Sequence, residues 1–388
     1  MSLSRAKRGW FSDWWWTVDR VALFAMFALI AIGLMLAFAA SPAATAHNSS
    51  QAGNFYFAAK QIVFAGVAAM IVAACSLLTP PDLRTAATIG FVGSLAGLGL
   101  VLLTGQEVLG ARRWIDLGFL TIQPSEFLKP SFAVLCAAVL AQKEQGGFRK
   151  ELLSFLLAIV PLALLILEPD VGQTGLLLAL WGAMLFLNGI SLVWVGAITG
   201  AGTALGGLAY VLIPHVHHRV QQFMSGGKPG YQSGLALKAF EHGGLAGVGP
   251  GAGTIKYHIP YAHSDFIFAV AGEEFGLVLC GIIASLFCVL SVRLLVRASS
   301  AADKFSQLAG SGLALIVALQ AFINMGVAVS LLPAKGMTLP FISYGGSSLF
   351  AVAVTMGFAL AVTRQRPAVV TLSKRETDLL FGTSEARA

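Results

Sequence analysis

Three carboxylates lie in one apolar stretch of the sequence, YAHSDFIFAVAGEEFG at residues 261–276. Asp265 stands at the start of a long apolar run, whereas Glu273 and Glu274 lie inside that run. A carboxylate can take the proton of an attacking hydroxyl, so an acid at a boundary with water is a candidate general base. The same residue could instead cap a helix that begins there, because a helix N-terminus favours a negative charge.

The three acids cannot form one cluster on a regular helix. Glu273 is eight residues after Asp265, which would place it about 80° round the helix and about 12 Å deeper. Glu274 would fall nearly opposite Asp265. We therefore predict that Glu273 and Glu274 pair with cations or polar groups on neighbouring helices, and that they support the structure beneath Asp265.

Candidate anion-binding residues lie elsewhere in the chain. Arg112 and Arg113, in GARRWIDLG, each offer a planar fork of donors that suits a phosphate. Arginines next to a tryptophan could also anchor the chain at a membrane interface. Lys335, in LLPAKGMTLPFISYGGSS, is a weaker candidate of the same kind.

Two further motifs place charges beside apolar helices. Glu126 and Lys129, in QPSEFLKPS, are three residues apart and can pair on one helix face. A charge in a membrane span is costly without a partner, so an architectural salt bridge and a direct substrate contact both fit. Asp170, in LEPDVGQTG, could cap the next helix or line a cavity where substrate binds.

The segment 214–265 is rich in histidine and glycine. It holds six of the seven histidines, but it has no cysteine and no HExxH pattern, so we predict no metal site. Whether a divalent cation, Mg²⁺ or Mn²⁺, serves as a cofactor is left open. The run GGLAGVGPGAG at 243–253 fits neither a Walker A nor a GxGxxG pattern. We expect it to bend and to let its backbone approach another element closely.

These residues must be held by membrane-spanning elements. Of the 388 residues, 57% are hydrophobic and only 11% are charged, whereas a soluble domain is about one quarter charged. The chain is therefore predicted to be all-α, a polytopic integral membrane protein. We predict about ten transmembrane helices, at about 20–40, 55–78, 85–103, 124–141, 152–167, 174–189, 192–213, 266–292, 305–330 and 346–363.

The lysines and arginines set the expected orientation. Most of the 25 fall inside if both termini are cytoplasmic, and 214–265 then becomes a large extracytoplasmic loop between helices 7 and 8. The net charge of +7 is accounted for by topology, so no nucleic-acid partner is predicted. We expect a cytoplasmic N-terminal tail at 1–18, a transmembrane domain at 19–365 and a cytoplasmic C-terminal tail at 366–388.

Five motifs together resemble one family. GARRWIDLG, IQPSEFLK, EPDVGQTG, AHSDFIFAVAGEEFG and LPAKGMTLPFISYGGSS stand in the order found in the SEDS family (FtsW, RodA and SpoVE) of bacterial wall-synthesis proteins. The resemblance covers residues 15–365, and PAKGMTLPFISYGGSS and WWWTVDR resemble its division branch. Two motifs differ slightly, because EPD at 168–170 more often reads Gln-Pro-Asp in the family and HSD at 263–265 more often reads His-Thr-Asp.

The resemblance implies a peptidoglycan glycosyltransferase of the inner membrane, concentrated at the division septum. Its substrate would be lipid II, the undecaprenyl-pyrophosphate-linked disaccharide-pentapeptide, polymerised at the outer face during septal wall synthesis. The family's essential acid corresponds to Asp265. Expected partners are a class B penicillin-binding protein (the septal transpeptidase, FtsI type) and other divisome membrane proteins.

Two other functions fit the same composition. A lipid II flippase, which is a transporter, would also carry charges within the membrane, but it predicts substrate loading from the inner face. A non-catalytic scaffold of the division machinery is the third hypothesis.

Overall fold

A computed structural model describes residues 10–47, 53–108, 111–118, 121–142, 149–212, 221, 231–333 and 336–364. Within these ranges the chain is mostly helical. The helices are α1 (Trp10–Thr17), α2 (Arg20–His47), α3 (Tyr56–Ser76), α4 (Pro80–Thr104), α5 (Pro124–Leu140), α6 (Arg149–Leu167), α7 (Val171–Leu187), α8 (Leu192–Leu212), α9 (Tyr231–Gly243), α10 (Ile267–Ser299), α11 (Lys304–Ala328) and α12 (Gly346–Thr363). The strands are β1 (Gln106–Val108), β2 (Ala111–Asp116) and β3 (Thr121–Ile122), and a 3₁₀ turn spans Ile255–Tyr257.

The prediction of a polytopic helical membrane protein is confirmed. Each of the ten predicted spans falls on a helix, namely α2 to α8 and α10 to α12. Seven of the described helices are long and apolar enough to cross a membrane, and α7 is a shorter apolar helix. Helix α4 begins at Pro80, before the predicted start at about 85, because Thr79 and Asp82 form a capping box there.

The last two helices lie at the centre of the bundle. In the apolar windows of α12 and α11, 83% and 61% of the residues are buried, more than in the other candidate spans. Helix α12 packs against α3, and α11 packs against α5 and α10. Helix α10 also packs against α2. Most residues of α11 are therefore enclosed by protein rather than lipid, although Phe322 is exposed.

A small antiparallel sheet lies between α4 and α5. Strand β2 is central and pairs with β1 and β3. It carries both Arg112 and Arg113, and successive side chains of a strand point to opposite faces. The two arginines therefore cannot act side by side on one ligand in the way that their adjacency in sequence suggests.

Helix α10 is broken near one end. Gly276 has φ 75° and ψ −177°, which no residue of a regular helix adopts. The glycine-rich run at 243–253 fills the break, so the prediction that this run approaches another element closely is confirmed. Four hydrogen bonds between backbone groups close the break: Val248 N to Glu273 O at 3.0 Å, Gly249 N to Glu274 O at 3.0 Å, Leu277 N to Gly244 O at 3.0 Å and Val278 N to Leu245 O at 3.2 Å.

The chain divides into two units, and of the described residues 10–18 and 364 belong to the smaller one. Within it, Arg364 Nε donates to Thr17 Oγ1 at 3.1 Å. Residues 1–9 and the whole of the predicted C-terminal tail, 366–388, lie outside the described residues, so the predicted domain boundaries stay a prediction.

The break makes a prediction about two glycines of α10. A Cβ at Gly276 would lie 2.2 Å from Leu245 O and would need a left-handed φ, whereas a Cβ at Gly281 meets nothing within 4 Å. We expect Gly276→Ala to cost about 2–3 kcal/mol of stability and Gly281→Ala to leave stability unchanged or slightly raised. Thermal unfolding in detergent measures both, and equal melting temperatures would show that the break tolerates a side chain.

Candidate active site

Asp265 lies in a turn just before α10, at 261–266. The helix begins at Ile267 with Phe266 as its N-cap residue, and no side chain caps it. The alternative that Asp265 is a helix cap is therefore wrong, and the angular estimate for a regular helix does not apply to it. Asp265 is half-buried, and a Cβ on Gly336 would lie only 3.4 Å from its Oδ2 atom.

The backbone of this turn is tied to the segment 336–345. Asn324 Nδ2, from α11, donates to Asp265 O at 2.9 Å and to Met337 O at 2.6 Å. Ser343 Oγ donates to Ser264 O at 2.5 Å. The two segments therefore hold each other through a buried amide and a hydroxyl, which fixes the backbone that carries the Asp265 carboxyl.

Both segments contain strained backbone. Tyr261 has φ 57° and Phe341 has φ 65°, which is the left-handed backbone region that residues other than glycine rarely adopt. Strain of this kind persists only where the surrounding structure enforces it, and it clusters at functional sites. Its presence on both sides of Asp265 favours a functional rather than a structural role for this end of the bundle.

The electrostatics suit a base. Burial raises the pKa of Asp265 to about 6, while a hydrogen bond from Ser264 and the charge of Arg113 act in the opposite direction. The carboxyl is therefore mostly ionised at neutral pH, yet it holds a proton more tightly than an ordinary aspartate. A base with a pKa closer to the working pH transfers protons more effectively.

Arg113 connects Asp265 to the break between α6 and α7. Its Nη2 atom donates to Pro169 O at 2.8 Å, and its Nε atom is 3.5 Å from Asp170 Oδ2. Asp170 is the N-cap of α7 and accepts from Gln173 N at 3.2 Å, so the capping alternative is observed. Arg112 is exposed on the other face of β2, and Lys335 lies outside the described residues.

The predicted pair in α5 is present and is part of a larger network. Lys129 Nζ donates to Glu126 Oε2 at 2.8 Å and to Gln320 Oε1 at 3.1 Å. Gln173 Nε2 donates to Glu126 Oε1 at 2.6 Å. Gln320 also donates to Thr338 O at 3.3 Å, which joins the network to the segment 336–345. This arrangement is that of an architectural salt bridge.

Glu273 has polar partners in two elements. Its carboxylate accepts from three successive backbone N–H groups, those of Thr254, Ile255 and Lys256, at 2.7, 2.7 and 2.9 Å. It also lies 3.1 Å from His242 Nδ1 on α9, a polar group on a neighbouring helix as predicted. The carboxylate therefore fixes the 3₁₀ turn that leads towards Asp265.

Glu274 pairs with a cation that the sequence analysis did not assign to it. The Lys256 ammonium, itself 1% exposed, bonds the Glu274 carboxylate and donates to Ala39 O of α2 at 2.8 Å. Gly251 N also donates to Glu274, at 2.9 Å. The partner lies in the loop rather than on a neighbouring helix, which corrects that part of the prediction.

Four supporting residues were not singled out from the sequence: Gln173, Lys256, Gln320 and Asn324. A signal existed for Gln320 and Asn324, because two amides four residues apart on an apolar helix share one face. No signal marked Lys256, since a lysine in a glycine-rich loop is usually solvated.

A cavity of about 290 Å³ adjoins the Asp265 turn and is lined by Ala43, Ala44 and residues 259–263. The ring of His263 packs against those of Phe57 and Tyr344, with centroids 4.9 and 5.5 Å apart. Among the described residues, no three histidine, cysteine, aspartate or glutamate side chains group as metal ligands would. The site is thus a carboxyl under the electrostatic influence of Arg113, bordered by small apolar and aromatic surfaces.

The α5 network predicts the effect of breaking its ion pair. Lys129→Met should lower stability by about 3–5 kcal/mol, because Glu126 keeps a buried charge without a cation. Adding Glu126→Gln should recover part of that loss. Thermal unfolding in detergent tests this, and a single variant that melts like the wild type would remove the pair from the architecture.

Comparisons with known proteins agree with this geometry. The family described as "Cell cycle protein", of FtsW, RodA and SpoVE, matches residues 20–367. A relative from Caulobacter vibrioides, named probable peptidoglycan glycosyltransferase FtsW, is 40% identical over 368 residues, covering 94% of each chain. A relative of the same name from Nitrosomonas europaea is 35% identical over 366 residues, covering 89% of this chain and 92% of its own.

Two solved structures resemble the chain closely enough to compare. A chain described in work on how a peptidoglycan synthase complex coordinates polymerization and crosslinking is 28% identical, with a TM-score of 0.73, and the match covers 89% of this chain and 97% of that one. The rod shape determining protein RodA of Thermus thermophilus is 26% identical, with a TM-score of 0.66 and coverage of 91% and 99%. The chain belongs to the FtsW/RodA/SpoVE (SEDS) family of multi-pass membrane proteins.

Proposed function

We propose that the chain is a peptidoglycan glycosyltransferase that polymerises lipid II, with Asp265 as the general base. The observation that carries the proposal is the half-buried Asp265 carboxyl. Asn324 and Ser343 hold the backbone of its turn, and burial raises its pKa to about 6. The names of the FtsW relatives support the same activity.

The reaction follows from the chemistry of the substrate. The acceptor sugar hydroxyl gives its proton to Asp265 as its oxygen attacks the anomeric carbon of the donor sugar. A new glycosidic bond forms, and the bond from that carbon to the pyrophosphate oxygen breaks. The leaving group departs as undecaprenyl pyrophosphate and carries the bonding electrons with it.

The pyrophosphate needs cations close to Asp265. Arg113 is the main candidate, because its charge acts on Asp265 and its guanidinium is positioned by Pro169 and Asp170. Arg112, on the exposed face of β2, is placed to meet an approaching anionic lipid. Lys335 is kept as a further candidate from the sequence, and Asp170 contributes by holding Arg113.

The proposed location follows from the charge bias of the loops. With both termini cytoplasmic, the Asp265 turn, β1–β3 and the segment 336–345 face the outside of the plasma membrane. Lipid II presents its sugars there, while its polyprenyl tail remains among the apolar helix surfaces. The division-branch motifs support an activity at the septum.

Asp265→Asn should reduce polymerisation by at least about a hundredfold, because the amide cannot accept the proton. The wild-type rate should rise as the pH rises through about 6, since the base works only when ionised. The assay is glycan-strand formation from labelled lipid II by the purified protein, with and without its partner.

Stability provides the control for that variant. The folded-state pKa of Asp265 lies above its ordinary value, so the ionised side chain costs stability at neutral pH. Asparagine removes this cost, and the variant should melt no lower than the wild type. A folded variant with normal product would remove Asp265 from the mechanism, and lipid II transport without polymer would favour the flippase.

We also propose that the enzyme works with a class B penicillin-binding protein of the septal type and with other divisome membrane proteins. Glycan strands without cross-links make a weak wall, so a transpeptidase must act on the product. The structural relative studied within a peptidoglycan synthase complex supports this assignment.

Co-purification in detergent with the septal transpeptidase tests the partnership. We expect a complex and a higher polymerisation rate when the partner is added. Absence of association together with an unchanged rate would contradict it, and an unrelated membrane protein of similar size serves as the control.

A further inference from the structure

Glu168 is a buried acid that the proposed mechanism does not use. It lies between α6 and α7, is 1% exposed, and its Oε1 atom has no hydrogen-bond partner. A buried carboxylate normally needs donors or a cation, because an unpaired charge away from water is costly. The surroundings therefore favour the neutral acid.

The charged groups around Glu168 form one cluster. Those that act on it are Asp170, from the same turn, and Arg113, from β2. Asp170 in turn is influenced by Glu126 and Lys129 of α5, and Arg113 acts on Asp265. Burial and the neighbouring Asp170 raise the pKa of Glu168 to about 8, and Arg113 only partly offsets them.

The net charge beside Asp265 then depends on one proton. With Glu168 neutral, Arg113 acts on two carboxylates, those of Asp170 and Asp265. With Glu168 ionised, a third carboxylate acts on the same guanidinium, and the cluster becomes more negative by one charge. A pyrophosphate approaching the exposed part of Arg113 would be repelled in the second state.

We infer that Glu168 is a specificity-determining residue that must stay protonated for the Arg113 cluster to accept a pyrophosphate lipid. It acts through Arg113 and does not touch the substrate. This inference rests on the proposed function, because it assigns the pyrophosphate to Arg113.

The test compares the affinity of the full-length protein and its Glu168→Gln variant for undecaprenyl pyrophosphate between pH 6.5 and 9. Glutamine has the same size as glutamic acid and cannot ionise. The two proteins should bind equally at pH 7, and the wild type should become weaker by on the order of tenfold at pH 9. Groups that titrate in both proteins change both affinities by the same factor, so they cancel in the ratio of the two affinities.

Two controls isolate the cause. Glu151→Gln removes an acid near the opposite end of α6 and should keep the wild-type pH dependence. Undecaprenol, which has no phosphate, should bind both proteins with a ratio that does not change with pH.

Three results would overturn the inference. One is a ratio of one at every pH, and another is a ratio that already departs from one at pH 7. The third is a pH-dependent ratio that undecaprenol reproduces, because the effect would then be structural. If neither protein binds the pyrophosphate lipid at any pH while polymerisation of lipid II is intact, only this inference fails. Loss of both would remove the proposed function as well.

Discussion

The structure around Asp265 depends on how the break in α10 is closed. A helix interrupted within a membrane protein exposes backbone N–H and C=O groups, each of which costs several kcal/mol if unpaired in a lipid-like interior. Here the glycine-rich run supplies the missing partners on both sides of Gly276. Gly247 has φ 82°, and a Cβ there would lie 2.2 Å from Glu274 O, so the close approach requires glycine. Because the run is fixed in this way, the chain that follows it leaves α10 in a defined direction.

The buried acids Glu273 and Glu274 fix the loop that follows the glycine-rich run. Glu273 binds three successive backbone N–H groups of the 3₁₀ turn, and Lys256 links Glu274 to α2. Each charge is costly alone, but together they satisfy one another and hold the loop against two helices. Asp265 follows nine residues after Lys256 and is held again by Asn324 and Ser343. Because the loop is fixed at both ends, the backbone of Asp265 has a defined position.

The features that the sequence predicted well are those governed by local periodicity. The pairing of Glu126 with Lys129 and the cap at Asp170 both follow from rules that span a few residues. The features that the sequence did not reveal needed tertiary information. Arg112 and Arg113 lie on a strand, which separates them to opposite faces, and a six-residue strand in a helical protein gives a weak sequence signal. The burial of Lys256 depends on the break at Gly276, which no short-range pattern reveals.

The residues at the site itself break local rules that the rest of the chain obeys. Tyr261 and Phe341 adopt left-handed backbone without being glycine, and Asp265 and Glu168 are carboxyls in surroundings that favour the protonated form. Each of these costs stability, and a chain selected for stability alone would not keep them together. They are tolerated because the α5 network and the closed break of α10 over-determine the surrounding backbone. The strained backbone therefore lies close to carboxyls whose pKa is raised above that of a solvated carboxyl. A raised pKa is the property that the proposed general base requires.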